Sequence, residues 1–447
     1  MYNRKIDSKL EDWYNSPKHK PLVIKGVRQC GKTSSVRHFA ELKYKEVIYL
    51  DFREHPEYKR FFMPNLDVTQ IIMRMSATPE LQHYRFASNE TCFVFDEIQD
   101  CPMARASLKY FYQDGRFDVL CTGSLLGVSG YKTKDELVEE YAATIPVGFE
   151  DMITMYPMDF EEWLWANGVK SEIIDYLKQC YINQTPVDEA IHEVMRSHLL
   201  NYIMVGGMPE VVVCFNQTKQ LNQVLRIQRR IIEEYKADML KYAHQEDKPR
   251  IIECFESIPS QLAREYKKFM YTAVRKGARG KDYAACLKWI EDAGIVRRCY
   301  NLKTTELPLE GQKEKNEFKV YMVDIGLLIS MLEDGTQVSV QQGELGMYKG
   351  AIYENVVADM LGKMERKLYY FHKDSGLELD FVIRYKGECV PVECKATTGR
   401  AKSLRTVLNN KAVYHVNQAI KLGDYNIGFD NNILTLPMYM GFLIQQW

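Results

Sequence analysis

Short apolar runs alternate with longer amphipathic stretches over the first third of the chain. The runs are continuous and bounded by polar or turn residues, which is typical of strands buried on both faces of a parallel sheet. Helical periodicity lies between them, as over Met103–Gln113. This order predicts an α/β, doubly wound domain over residues 1–158. The predicted strands are Leu22–Lys25, Val47–Phe52, Cys92–Phe95, Val119–Thr122 and Met152–Met155.

A helical period replaces this alternation after Asp159. Apolar residues recur three or four positions apart between Ile191 and Ile203 and again between Leu221 and Tyr235. The segment Gly206–Pro209 interrupts them, because two glycines and a proline break a helix and force a turn. We therefore predict a helical bundle over residues 159–245.

Helices followed by a β-ribbon are predicted for residues 246–345. A helix over Tyr283–Asp292 stops before Gly294, and Ile295–Tyr300 then alternates as a strand does. After a polar loop, Thr304–Asn316, the chain returns as a strand from Phe318. This order is typical of a winged helix.

The last part of the chain, residues 346–447, restarts an α/β pattern. A helix near Lys349–Met364 precedes strands at Leu368–Phe371, Leu379–Arg384 and Cys389–Cys394. Gly387 marks the hairpin turn between the last two strands. We therefore predict a fourth domain here.

Composition narrows the class of protein. The chain has 447 residues, 46% hydrophobic and 27% charged, so several globular cores are expected. No apolar run approaches a membrane span, the first residues are polar, and the eleven cysteines include no Cys-x-x-Cys. These features predict a cytoplasmic protein without a membrane partner. The net charge of −1 means that any contact with DNA must come from a local patch.

A glycine-rich turn follows the first predicted strand. Residues 26–33 fit the pattern G-x-x-x-x-G-K-[ST] and lead into a predicted helix, Ser34–Leu42. Such a loop turns backbone N–H groups toward phosphate oxygens, and the helix N-terminus adds partial positive charge. Lys32 would reach the β- and γ-phosphates, and the Thr33 hydroxyl would ligate Mg²⁺. The predicted ATP-binding residues are Gly26, Val27, Arg28, Gln29, Cys30, Gly31, Lys32, Thr33 and Ser34.

A second segment supplies carboxylates at the end of a buried strand. Thr91–Phe95 leads directly into Asp96 and Glu97. Asp96 would hold Mg²⁺, and Glu97 would orient and deprotonate the attacking water. The next predicted strand, Val119–Thr122, is followed by Gly123 and Ser124, and the hydroxyls at this polar tip either sense the γ-phosphate or belong to a plain turn.

Several segments, taken in order, carry a family resemblance. They are residues 20–33, 93–99, 107–111, 123–128, 156–163, 205–210 and 318–328. Together they resemble a family of prokaryotic AAA-type ATPases fused to a C-terminal domain of unknown function. The resemblance implies ATP binding, an AAA-like core, a winged helix and a restriction-endonuclease-like C-terminal domain. Many members carry an arginine before the Tyr-Pro motif, whereas Pro146–Glu150 contains none, so no arginine finger is assigned.

The C-terminal domain carries an Asp…Glu-x-Lys arrangement like that of restriction-endonuclease-like nucleases. Asp380 and Glu393 would converge from adjacent strands on a divalent metal, with Glu354 as a further ligand. Period-two alternation places Lys395 on the face of Glu393, near the water or the leaving phosphate. The alternative is an ordinary hairpin with solvated charges.

A basic stretch with interleaved aromatic residues precedes the predicted wing. It spans Arg264–Lys281 and contains a single acid, Glu265. Cations at this density suit duplex DNA phosphates, although a solvated helix face has the same composition. The predicted DNA-binding residues are Arg275, Lys276, Arg279 and Lys281.

Two functions remain open from the sequence. The first is an ATP-dependent protein that acts on DNA through a winged helix and a metal-dependent nuclease domain. The second is an ATP-driven switch that binds a protein partner and carries a catalytically inactive C-terminal domain. A nucleotide kinase is disfavoured, because Asp96 and Glu97 suit water activation. The sequence leaves the oligomeric state open.

Overall fold

The computed structural model describes residues 2–125, 148–243, 245–264, 267–344, 348–395 and 401–445. The chain divides into two compact units, Asn3–Tyr156 and Pro157–Trp447. No helix in these described ranges is both long and apolar enough to span a membrane.

The first unit is built on a five-stranded parallel sheet with the strand order β2-β3-β4-β1-β5. All five predicted strands are confirmed, with ends displaced by one or two residues. The parallel α/β class predicted for this unit is therefore confirmed. The strands are β1 Leu22–Gly26, β2 Glu46–Asp51, β3 Thr91–Asp96, β4 Asp118–Ser124 and β5 Asp151–Met155.

Helices and apolar side chains cover this sheet. Every residue of β3 is buried, and Phe93 and Phe95 pack in one core with Phe52, Phe62 and Phe111. Close packing of these aromatic rings against β3 helps to fix the position of its carboxyl end, where Asp96 lies. The helices of this unit are α1 Lys5–Asn15, α2 Lys32–Lys43, α3 Val68–Ser76 and α4 Pro102–Asp114.

The second unit opens with five helices, which is the all-helical character predicted for residues 159–245. Helix α7 ends where Gly206 takes a positive φ of 75°, and α8 begins with Pro209 in its first turn. The predicted helix break at these residues is therefore present. The five helices are α5 Phe160–Ala166, α6 Ser171–Asn183, α7 Glu189–Val205, α8 Pro209–Thr218 and α9 Leu221–Tyr242.

The predicted β-ribbon is present as part of a larger sheet. Strands β6 Val296–Leu302 and β7 Lys313–Met322 are antiparallel, and β6 also pairs in parallel with β8 Leu368–His372. With β9 Glu378–Leu379 they form a four-stranded sheet of order β7-β6-β8-β9. The loop predicted over Thr304–Asn316 is shorter in the structure, because β7 begins at Lys313, which pairs with Leu302 of β6. The neighbouring helices are α10 Lys248–Leu262, α11 Tyr271–Val274, α12 Gly280–Asp292, α13 Ile325–Ser330 and α14 Thr336–Gln342.

A second sheet completes this unit, with the strand order β10-β11-β12-β14-β13. The predicted hairpin is confirmed, with Lys386 and Gly387 at positive φ between β10 and β11. The single strand expected over Leu379–Arg384 is instead broken at Asp380, because Leu379 pairs with β8 and Phe381 with β11. The elements are α15 Lys349–Lys363, α16 Lys402–Asn409, α17 Lys411–Tyr414, β10 Phe381–Tyr385, β11 Glu388–Cys394, β12 Ala419–Gly423, β13 Gly428–Asp430 and β14 Ile433–Pro437.

Two glycines let distant backbone segments of the second unit meet. A Cβ atom on Gly207 would lie 2.0 Å from the Met158 carbonyl oxygen, and one on Gly206 would lie 2.2 Å from Asp324 Oδ1. The Met158 amide donates to the Gly207 carbonyl at 2.7 Å, and the Gly207 amide donates to Asp324 Oδ2 at 2.7 Å. Glycine is required at both positions because no larger residue fits.

A buried ion pair lies next to these glycines. Lys363 Nζ lies 2.8 Å from Asp359 Oδ1 and donates to the Met158 carbonyl at 3.0 Å. The Tyr202 hydroxyl donates to Asp359 Oδ2 at 2.7 Å. Burial raises the pKa of Asp359 to about 6, although Lys363 opposes the shift. These contacts tie α7 and α15 to the residues that follow β5.

Candidate functional site

The glycine-rich loop between β1 and α2 has the backbone geometry of a phosphate-binding turn. Gln29 and Gly31 take positive φ values of 61° and 100°. A Cβ atom on Gly26 would lie 2.2 Å from the Met155 carbonyl oxygen, so β5 approaches the loop too closely for any side chain there. Glycine is thus needed at Gly26 for space and favoured at Gly31 for conformation.

Lys32 is buried and folded across this loop. Its Nζ donates to the carbonyls of Gly26 at 3.1 Å and Val27 at 2.8 Å. These contacts hold the ammonium within the turn, where α2 begins. A cation at a helix N-terminus inside a ring of backbone amides is the environment that phosphate oxygens require.

An arginine near the start of the chain fixes the same loop from outside. Arg4 donates from Nη1 to the Cys30 carbonyl at 2.9 Å and from Nη2 to the Tyr156 carbonyl at 2.8 Å. The side chain is buried, and charge-assisted hydrogen bonds of this kind are stronger than neutral ones. Sequence reasoning missed Arg4, since nothing in its local pattern indicates a contact so far along the chain.

The two predicted Mg²⁺ ligands lie side by side. Thr33 Oγ1 donates to Asp96 Oδ1 at 3.1 Å, so both oxygens can face one ion. The Thr122 hydroxyl also donates to Asp96 Oδ1, and the Tyr49 hydroxyl donates to Oδ2. A hydroxyl next to a carboxylate at the edge of a phosphate loop is the oxygen ligand set that suits Mg²⁺. These residues therefore fit the ion.

Glu97 follows Asp96 in a left-handed backbone conformation, with φ of 52°. Its carboxylate accepts a hydrogen bond from Gln99 and lies 2.6 Å from the guanidinium of Arg53. Burial raises the pKa of Glu97, and Arg53 and Lys32 partly oppose that rise. A carboxylate whose pKa is raised toward neutrality suits proton transfer. Arg53 was not predicted, because it becomes a neighbour only through the pairing of β2 with β3.

The remaining predicted nucleotide-binding residues surround these groups. Val27, Arg28, Gln29 and Cys30 form the loop itself, and Ser34 lies exposed in the first turn of α2. Ser124 is buried at the end of β4, directly paired with Gly26. The stretch Pro146–Glu150, where many members of the resembled family carry an arginine and this chain has none, lies partly outside the described residues, at Pro146 and Val147.

The predicted C-terminal carboxylates also come together. Asp380 immediately precedes Phe381, which pairs with Val392, so Asp380 and Glu393 are neighbours across the hairpin. Asp380 Oδ2 accepts from the Cys394 amide at 2.8 Å, and Glu393 Oε1 is paired with Lys395. Period-two alternation correctly placed Glu393 and Lys395 on one face.

Glu354 reaches this cluster but is fully engaged by other partners. Its Oε1 is paired with Lys267, and its Oε2 accepts from the Tyr321 hydroxyl at 3.0 Å. Across the described ranges, no three or more histidine, cysteine or acidic side chains are placed to hold a metal ion. Both carboxylate oxygens of Glu354 are thus engaged by side chains of this chain.

The predicted DNA-binding cations lie on the surface of the second unit. Arg275 and Arg279 are 70% and 68% exposed, with Glu253 at 3.6 Å from the first and Asp282 at 3.2 Å from the second. Lys276 and Lys281 are also exposed. Of the other cations in the stretch, Lys267 pairs with Glu354 and Lys268 pairs with Glu317. Glu265 and Tyr266 lie outside the described residues.

Comparison with known proteins gives the following matches. Residues 18–164 match the family model described as an AAA domain. Residues 196–338 and 349–440 match models described only as domains of unknown function, DUF8612 and DUF4143. No curated protein is similar enough to this sequence to count as a match.

Two solved structures are distantly similar to part of this chain. A Walker-type ATPase of Pyrococcus abyssi is 15% identical, with 74% of this chain and 96% of that chain covered and a TM-score of 0.43. DnaA from Aquifex aeolicus, bound to AMPPCP, is 13% identical, with 64% and 87% covered and a TM-score of 0.24. Residues 18–164 thus resemble AAA domains, and the glycine-rich loop, Asp96 and Glu97 all lie within the matched range.

Proposed function

We propose that this protein binds ATP with Mg²⁺ and hydrolyses it at the loop between β1 and α2. The observation that carries the proposal is the pairing of Thr33 with Asp96 beside the buried ammonium of Lys32. Thr33 and Asp96 would hold the ion, which would neutralise charge on the β- and γ-phosphates.

Each of the side chains at this loop would have a separate role in hydrolysis. Lys32 would exchange its carbonyl partners for phosphate oxygens and would bind the negative charge of the triphosphate. Glu97 would accept a proton from the attacking water, for which its raised pKa is suited. Ser124, at the end of β4, would contact the terminal phosphate.

Phosphate release by the full chain tests this proposal. We expect release that requires Mg²⁺, is lost with EDTA and stops when ATP is replaced by a non-hydrolysable analogue. A protein that binds ATP and releases no phosphate under any of these conditions would instead be a nucleotide-binding module.

We also propose that the exposed cations Arg275, Lys276, Arg279 and Lys281 contact the phosphates of double-stranded DNA. Their exposure supports this, because phosphate contacts require side chains that can leave weak surface pairs without cost. The winged-helix character of residues 246–345 belongs to the same proposal. Binding of duplex DNA that weakens steeply with added salt would support it, and binding independent of salt would reject it.

A second candidate is an ATP-driven switch that binds a protein partner, with a catalytically inactive C-terminal domain. The observation that favours it is that Glu354 is fully engaged by Lys267 and Tyr321 rather than free to ligate a metal. Cleavage of DNA in the presence of Mn²⁺ would show an active C-terminal domain and would exclude this second candidate.

A further inference from the structure

A lysine lies inside the C-terminal carboxylate cluster. Lys319, on β7, is 1% exposed, and its Nζ lies 2.7 Å from Glu378 Oε1 and 3.5 Å from Glu354 Oε2. The ammonium also lies 4.9 Å from the centroid of the Tyr370 ring. Two carboxylates and an aromatic face thus surround one buried cation.

Burial of an ammonium normally lowers its pKa, because the charged form loses its hydration. For Lys319 this desolvation is outweighed by Glu354, Glu378 and Asp380, which raise the pKa well above its usual value. Its ammonium lies 2.7 Å from one carboxylate and 3.5 Å from another, so it compensates negative charges that would otherwise be left unpaired in the interior.

The charges of the cluster are close to balance without any ion. Lys267 pairs with Glu354, and Lys395 pairs with Glu393, so each further carboxylate has its own ammonium. Three ammonium groups thus face the four carboxyl groups of the cluster, which leaves at most one negative charge uncompensated, less than a divalent ion carries.

We infer that Lys319 is the resident cation of the cluster formed by Glu354, Glu378, Asp380 and Glu393, and that this cluster is a metal-independent structural site. The lysine takes the place that a divalent ion would need. It ties the ribbon strand β7 to helix α15 and strand β9, so the region expected to be a separate nuclease domain shares its charged core with the ribbon. A metal-dependent nuclease would require this core to be rearranged.

The first test measures ion binding to the full chain. Free Mn²⁺ is followed by its electron paramagnetic resonance signal during titration of nucleotide-free protein carrying Asp96→Asn, which removes a ligand of the ATP site. The matched protein carries Glu393→Gln in addition. We expect the two binding curves to superimpose. One Mn²⁺ bound per chain with Asp96→Asn alone, and lost with the added Glu393→Gln, would overturn the inference.

The second test removes the resident cation. Lys319→Met leaves Glu354 and Glu378 without their shared ammonium, so we expect a lower melting temperature than wild type above neutral pH. In the Asp96→Asn background, added Mn²⁺ should recover part of that loss, while the protein with Asp96→Asn alone should not respond to it. Lys315→Met, an exposed site on the same strand, is the control and should melt as wild type does. A Lys319→Met protein as stable as this control would contradict the inference, and if it does not fold, the titration decides.

Discussion

The guanidinium of Arg53 lies 2.6 Å from the carboxylate of Glu97, and its Nε donates to Asp100 at 2.9 Å. The cation follows strand β2, whereas Glu97 follows β3, so the pairing of the two strands brings base and cation together. Two effects of opposite sign thus set the pKa of Glu97: burial raises it and Arg53 lowers it.

Arg53→Met should therefore move the acidic limb of the pH–rate profile for ATP hydrolysis to higher pH. Without the Arg53 guanidinium, the effect of burial on the Glu97 pKa is less strongly opposed. Glu97 then stays protonated to higher pH and cannot accept a proton. The measurement is kcat/KM as a function of pH. Arg85→Met, at an exposed site of the same unit, should leave the profile unchanged. Superimposed profiles for Arg53→Met and wild type would show that Arg53 does not tune Glu97.

Glu97→Gln should retain ATP affinity and lose hydrolysis by a factor of about 10² to 10⁴. The amide keeps the shape and the hydrogen-bonding reach of the side chain but cannot accept the proton of water. Calorimetric ATP binding and steady-state phosphate release separate the two effects. Glu41→Gln on the exposed face of α2 is the control, and hydrolysis at the wild-type rate in Glu97→Gln would make the assignment wrong.

Lys32→Ala should weaken ATP binding about tenfold to a hundredfold, which is the loss expected for one or two hydrogen bonds to a charged group. The ammonium of Lys32 lies within the phosphate loop, so this substitution removes a positive charge that would contact the phosphates. Titration with a fluorescent ATP analogue gives the dissociation constant. Lys43→Ala, at the far end of the same helix, removes an equal charge and should bind normally. Equal affinity in both variants would place the nucleotide elsewhere.

Replacement of Arg275, Lys276 and Arg279 by alanine should weaken binding of duplex DNA to a similar extent for unrelated sequences. Each lost phosphate contact should reduce the salt slope of log K by about 0.9. Fluorescence anisotropy over a series of salt concentrations gives this slope. A control with the same loss of charge replaces the exposed Lys303, Lys315 and Lys386. If this control reduces the slope as strongly, net charge rather than the proposed surface is responsible.

Asp359→Asn should flatten the pH dependence of stability between about pH 4 and pH 6. The unfolded chain releases this proton near the ordinary pKa of aspartate, 3.8, whereas the folded chain retains it until about pH 6. The folded state binds more protons in that window, so the free energy of unfolding falls as pH rises, by about 3 kcal/mol for the full shift. Chemical unfolding over this range measures the slope. The exposed Asp374→Asn is the control, and a slope equal to wild type in Asp359→Asn would contradict the buried pair as its source.

The parallel sheet and the phosphate loop were predictable because their signals are local. A buried strand, its terminal carboxylate and the glycine pattern each occupy a few consecutive residues, and period-two alternation located Lys395 beside Glu393. The contacts that decide the chemistry were not predictable in this way. Arg53 meets Glu97 through strand pairing, and Arg4 meets the Cys30 carbonyl through tertiary packing.

The C-terminal carboxylate cluster was also predictable from the sequence only in part. The Asp…Glu-x-Lys spacing correctly brought Asp380 and Glu393 together, but charge balance depends on Lys319, which precedes the whole arrangement along the chain. Sequence spacing indicates which carboxylates meet. It cannot show which cation from another element already neutralises them.

The short passage from β5 to Met158 offers a natural place to dissect the protein. Arg4 holds the Tyr156 carbonyl within the first unit, and the Met158 amide donates to Gly207 within the second, so both anchors lie on their own side of the Tyr156–Pro157 bond. A cut at this bond would leave each of these hydrogen bonds within a single fragment. ATP chemistry could then be compared between the fragment that ends at Tyr156 and the intact chain, which keeps the whole range matched to the AAA domain.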